Sequence, residues 1–165
     1  MGEFLRFIGK WSGSGYVLPP INVNYGEEIS ITPFGTPKGI IYNFSSKTWI
    51  AGSDYQTRPM HTEIGMMKLR NLEAGNFAVE LMLTHPFGLC EVDCGQAIGS
   101  EILLESTNFI RTPTNTNIKI DKVRRRYWLE GDTLKYQLYL TVFGGQENLH
   151  LQGELTRVTE QTLYN

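Results

Sequence analysis

Phe77, Val79, Leu81 and Leu83 alternate with Ala78, Glu80 and Met82. A two-residue period sends the first four side chains to one face of an extended segment and the others to the opposite face. Weaker versions of this pattern recur along the chain. They cover residues 9–16, 25–32, 39–44, 47–51, 60–69, 88–94, 101–110, 118–129, 133–142 and 149–157, through β-branched and aromatic residues. Turn residues separate them: the polar stretch 52–58, the loop 71–75, and Glu130-Gly131-Asp132, whose glycine suits a tight hairpin. No segment carries the 3.6-residue period of an amphipathic helix. Many short strands joined by turns must close on themselves or stack as two sheets, because open edges are left unpaired otherwise. The expected fold is all-β: an antiparallel up-and-down β-barrel of about ten strands, in a single domain over residues 1–165. A barrel of that size has room for one small ligand. Residues 4–8 precede the first strand as one helical turn or a plug, and Pro19-Pro20 marks an irregular connection.

Charge is nearly balanced, 15 Lys and Arg against 17 Asp and Glu, which argues against nucleic acid as the main partner. No run of eighteen apolar residues exists and the N-terminus lacks a signal-peptide pattern. A soluble, intracellular protein without a membrane partner is therefore expected, in the cytoplasm with the nucleus as a second compartment. Cys90 and Cys94 fall in one strand, where four extended residues span roughly 13 Å, too far for a disulfide. They are expected to be buried or partly buried free thiols.

Nothing in the sequence arranges a hydrolytic triad. Ser45 and Ser46 lie in a polar turn context and no Gly-x-Ser-x-Gly elbow occurs. A metal site made by His61, His85 and His150 would require all three to converge, and His85 precedes Pro86 in an expected loop. His61 and His150 stand apart, each in or at the start of a strand, as candidate axial ligands to a haem. Met60, Met66, Met67 and Met82 offer a soft cavity wall. Strict alternation, however, places His150 with Gln152 and Glu154, opposite Leu149, Leu151 and Leu155, and an ordinary solvated face has the same pattern. Within Arg124-Arg125-Arg126, neighbours point to opposite faces; Arg125 shares its face with Val123 and Tyr127. It is the inward one, placed to meet a carboxylate or a cofactor propionate.

Several motifs then occur in a fixed order: Gly9-Lys10-Trp11-Ser12-Gly13-Ser14-Gly15, Tyr25-Gly26-Glu27-Glu28-Ile29, Tyr42 with Lys47-Thr48-Trp49, Met60-His61-Thr62-Glu63, His85-Pro86-Phe87-Gly88-Leu89, Arg111-Thr112-Pro113-Thr114 and Leu149-His150-Leu151-Gln152-Gly153-Glu154-Leu155. In this order and spacing the chain resembles, over nearly its whole length, the nitrobindin family. It also resembles the related C-terminal haem-binding domain of a THAP-type nuclear protein. The resemblance implies a ten-stranded barrel distantly like fatty-acid-binding proteins, with ferric haem b near one open end. It further implies His150 as the metal ligand and His61 as a catalytic residue over the distal face. Thr48, Met60 and Arg125 are the further residues expected around the cofactor. Implied ligands are nitric oxide and peroxynitrite, the latter isomerised to nitrate. Thr62 and Gly153 replace alanines usual in the family, and Met66 stands where Phe or Tyr is common. Gly153 is expected to weaken the strand carrying His150, and Met66 to change the wall beside His61. The zinc-binding THAP module is absent, so its DNA binding is not carried over. A haem-free carrier of a fatty acid or other apolar ligand is the alternative, a protein-interaction domain a third, and a homodimer is left open.

Overall fold

The computed structural model describes residues 2–35, 40–115 and 119–159. A short helix, α1 (Gly2–Leu5), precedes ten strands among these residues: β1 (Gly9–Val17), β2 (Val23–Pro33), β3 (Ile41–Ile50), β4 (Pro59–Asn71), β5 (Phe77–His85), β6 (Leu89–Ile98), β7 (Glu101–Arg111), β8 (Ile120–Glu130), β9 (Thr133–Val142) and β10 (Asn148–Arg157). Each strand pairs antiparallel with its neighbours in sequence, and β1 pairs with β10 from Trp11↔Arg157 to Val17↔Leu151, closing the ring. The expected up-and-down barrel is the fold. Closure leaves no edge strand exposed. Among the described residues no helix is long and apolar enough to cross a membrane.

The expected segments 39–44 and 47–51 are one strand, β3, which continues through Ser45 and Ser46. That polar pair is no turn: Ser46 points inward and is buried, because an acceptor waits there, Glu27 on β2. The expected strand starts at residues 39 and 118 lie outside the described residues. Gly131 takes φ 59° in the hairpin between β8 and β9, the left-handed conformation that glycine adopts without strain.

One end of the barrel is filled. Phe4 and Phe7 are 2% and 0% exposed, and Phe4 packs its ring against Tyr42 and Phe77. The Trp11 indole donates its Nε1–H to the Phe7 carbonyl at 2.9 Å, pinning the plug to β1. Trp11, Ile29, Phe44, Met67, Leu81 and Leu104 complete this apolar floor. Burying each such side chain stabilises the fold by about 1.5–3 kcal/mol. Of the expected segment 4–8, Phe4 and Leu5 end the helix, and Phe4 and Phe7 form the plug.

Cys90 and Cys94 are free but exposed, not buried. The cause is the inverted pattern of β6: Leu89, Glu91 and Asp93 face inward, so the thiols face out. Arg124 and Arg126 also point out, stacked over Tyr139 and Trp128 at 4.0 and 4.6 Å, while Arg125 is 3% exposed. Among the described residues four register shifts interrupt the ladders, and two of them carry the histidines: Met60 is the extra residue of β4 against β3, and His150 that of β10 against β9.

Candidate functional site

Opposite the plug, the barrel encloses a cavity of about 310 Å³, at the lower end of the small-molecule range. Val17, Ile21, Met60, Phe87, Leu140 and Leu151 are among its apolar walls. His150 and Leu151 both line it, although successive residues of a regular strand face opposite ways. The bulge explains this. An extra residue at position 150 bends β10 and brings the imidazole inward with Leu151, leaving Gln152 and Glu154 exposed. Alternation alone misplaces His150 for that reason. The ring is half-buried, and burial lowers its pKa, which keeps a neutral imidazole with a lone pair.

His61 reaches the cavity by the matching device on β4. The bulge at Met60 lets both Met60 and His61 line it. Thr48, across the ladder, fixes the backbone: its Oγ1 accepts the His61 N–H at 3.1 Å and donates to the His61 carbonyl at 3.3 Å. Strand β10 lies four positions from β4 and five from β5 around the ring of ten. His150 therefore faces His61 and His85 across the interior, so the three histidines do not converge. Met67 is in the apolar floor, and Met66 and Met82 are exposed on the outside. Met66 accordingly does not shape the wall by His61, because its parity on β4 is the outward one.

His85 is the residue least visible in advance. It ends β5 with its side chain only 4% exposed, not in a surface loop. Its Nε2 lies 3.0 Å from Glu91 Oε2 and its Nδ1 3.1 Å from His61 Nε2. Pro86 stops the strand after His85 without displacing it, since proline restricts its own amide and not the preceding donor.

Beneath the histidines, Arg125 binds Glu63 through two nitrogens at 2.8 and 3.0 Å, Glu91 at 3.1 Å and Asp93 at 2.9 Å. Of the two partners the sequence allows it, carboxylates are those the structure shows. Burial alone would raise the Glu63 and Glu91 carboxyls, but the guanidinium holds both well below the usual range. Burial drives Asp93 the other way, up to about 8 despite Arg125, with the Glu91 charge adding to the shift. Asp93 is thus the carboxyl of the three that favours its proton, and its Oδ1 has no hydrogen-bond partner among the described residues.

A second buried chain adjoins the first, since Ser46 is the ladder partner of Glu63. Ser46 donates to Glu27 Oε1 at 2.6 Å, Tyr136 donates to Oε2, and Tyr25 lies 2.5 Å from the Tyr136 oxygen. Gly153 makes space for this: a Cβ there would meet the Tyr136 ring at 2.6 Å. The glycine that weakens β10 in isolation is matched to the tyrosine beside it.

Burial raises Glu27 to about 7, against the hydrogen bonds from Ser46 and Tyr136. Folded Glu27 therefore binds its proton more tightly than the unfolded chain does. The stability this contributes is fully present below the unfolded carboxyl range and is lost as pH rises through about 7. At about 1.4 kcal/mol per pKa unit, roughly 3 kcal/mol is at stake. Glu27→Gln, which mimics the protonated acid, is expected to flatten the fall in urea-unfolding free energy between pH 5 and 8. Parallel slopes in the two proteins would remove Glu27 from this role.

Comparison with known proteins agrees with these observations. The chain matches the THAP4-like, heme-binding beta-barrel domain over residues 1–157. A protein of Frankia casuarinae named peroxynitrite isomerase is 31% identical over 159 residues, covering 93% of this chain and 82% of its own. One of the same name from Frankia alni is 32% identical over 141 residues, 83% of this chain and 93% of its own. The crystal structure of Rv2717c from M. tuberculosis superposes with a TM-score of 0.76 at 25% identity, covering 94% of this chain and 95% of that one.

Proposed function

The chain belongs to the THAP4-like, heme-binding beta-barrel domain family, and from that premise we propose that it binds one ferric haem b and acts on reactive nitrogen species as a peroxynitrite isomerase. The observation that carries this reading is His150, a neutral imidazole turned into an apolar cavity by a bulge, with a second histidine facing it across the barrel.

The residues fit the group. A haem iron takes one imidazole ligand, and the macrocycle takes apolar walls; His150 offers the first and Val17, Phe87, Leu140 and Leu151 the second. Haem, when bound, supplies the iron that binds nitric oxide and on which peroxynitrite rearranges to nitrate. The chain supplies the rest. His150 would hold the iron, and the apolar walls would exclude water, which strengthens each polar contact inside. His61, poised on the far wall by Thr48, presents a ring nitrogen to a ligand as hydrogen-bond donor or acceptor. Met60 packs at the cavity rim beside it, and Arg125 holds Glu63 in place below.

Titration of the protein with ferric haem is the test. A Soret shift saturating at one haem per chain is expected, together with faster conversion of peroxynitrite to nitrate by the loaded protein. His61→Ala is expected to keep the haem while changing its ferric spectrum and its rate with nitric oxide. Absence of saturable haem binding, with a fluorescent fatty acid binding instead, would put the carrier reading ahead. Loss of haem from a folded His61→Ala protein would move the iron to His61.

A further inference from the structure

His61 Nε2, His85 Nδ1 and Glu63 Oε1 form a triangle of donor atoms, with separations of 3.1 Å between the histidines and of 3.7 and 3.8 Å from Glu63 to each. A point equidistant from all three lies about 2.1 Å from each, which is the bond length from zinc to imidazole nitrogen and carboxylate oxygen. We infer that His61, His85 and Glu63 form a second site in the cavity, separate from His150, that binds a divalent ion of the zinc class.

Three features beyond the triangle support this. The supporting contacts are those a metal site requires. His85 Nε2 lies 3.0 Å from Glu91, a carboxylate that only accepts, so His85 donates there and its Nδ1 is left bare toward the ion. That is the carboxylate–histidine–metal arrangement that orients a ligand and raises its basicity. Glu63 is held from behind by two nitrogens of Arg125, fixing the carboxylate in position.

Charge is the second feature. Three buried carboxyls, Glu63, Glu91 and Asp93, contact one guanidinium, that of Arg125. A cation is what such a group attracts.

Access is the third. All three donors line the cavity, so an ion would keep at least one position open to it for water or an anionic ligand. Two nitrogens, one oxygen and an open position describe a catalytic zinc site, as distinct from a closed structural one. Without the ion, His61 donates its Nε2–H to His85 Nδ1; with it, His61 carries its proton on Nδ1, so only a tautomer change is needed.

The inference does not rest on the haem reading, because the donors come from β4 and β5 and His150 from β10. The test uses chelator-treated, haem-free protein in which Cys90→Ser and Cys94→Ser remove the exposed thiols. Zn²⁺ binding is followed by calorimetry and Co²⁺ by its visible d–d bands. One ion per chain is expected, with the bands of a four- or five-coordinate site. His61→Ala, at a ring 35% exposed, is expected to weaken binding at least about 100-fold, and Glu91→Gln about 10–100-fold through His85. His150→Ala is expected to leave ion binding unchanged, even where it abolishes haem binding. No saturable ion, an unchanged Co²⁺ spectrum in His61→Ala, unchanged affinity in Glu91→Gln, or loss of the ion with His150→Ala would each overturn the assignment.

Discussion

Arg125→Met is expected to destabilise the barrel by about 3–5 kcal/mol, the usual loss when one partner of a buried ion pair is removed. Methionine fills much of the same volume, so the loss comes from charge and not from a cavity. Glu63, Glu91 and Asp93 have side chains 10%, 1% and 0% exposed, and all three bond to this one guanidinium. With it gone, burial works unopposed on Glu63 and Glu91 and lifts their pKa values. The sign of their pH response then reverses. In the wild type both carboxyls are depressed, so their contribution is present above the unfolded carboxyl range and is lost progressively as pH falls below it. In Arg125→Met the same groups fold best when protonated, and stability should rise as pH falls from 8 to 5. Urea melts at the two pH values measure both effects. A loss below about 1 kcal/mol, or a variant no more stable at pH 5 than at pH 8, would mean that the carboxylates find other compensation.

What could be read from the chain follows from how much each residue depends on closure. Strand period is local, so the alternation from Phe77 to Leu83 locates β5 without any knowledge of its neighbours, and the inward parity of Arg125 follows from Val123 and Tyr127 beside it. The polar interior is not local. Glu27, Glu63, Glu91, Asp93 and Arg125 sit on β2, β4, β6, β6 and β8, mostly one per strand, and become a network only when the ring closes. In β6 those inward charges reverse the usual polarity of the two faces, which is why Cys90 and Cys94 turn outward. Ser46 misleads in the same way, since a serine facing Glu27 looks like a turn residue until its acceptor is in place.

The bulges at Met60 and His150 are invisible in the sequence for another reason. An extra residue shifts parity by one and needs no special side chain to do so. Neither Met60 nor His150 advertises it. Met60 and His61 both line the cavity, as do His150 and Leu151, and each pair breaks the two-residue period at the open rim. Family resemblance singles out His61 and His150, and the bulges supply the physical means by which both point inward. His85 was hidden by its neighbour, because the sequence His-Pro suggests a loop while the histidine itself completes the β5 ladder opposite Leu89.

His150→Ala is expected to reduce ferric haem affinity by at least about 100-fold, equivalent to ~2.7 kcal/mol, while changing folding stability by no more than about 1 kcal/mol. The asymmetry has a structural basis. His150 is the extra residue of a bulge and has no ladder partner on β9, and its half-buried ring stands at the rim, away from the plugged apolar floor. Its N–C=O unit does hold the chain: the His150 carbonyl accepts from the Leu18 N–H at 2.8 Å, and alanine keeps that bond. What the substitution removes is an imidazole that burial favours in its neutral form. Added imidazole should therefore enter the vacated space and restore the haem spectrum of a barrel that is otherwise intact. Resonance Raman of the ferrous protein decides the point, through an iron–histidine stretch present in the wild type and absent from the variant. Persistence of that stretch, or undiminished haem affinity in folded His150→Ala protein, would transfer the iron to the opposite wall and leave His150 a rim residue.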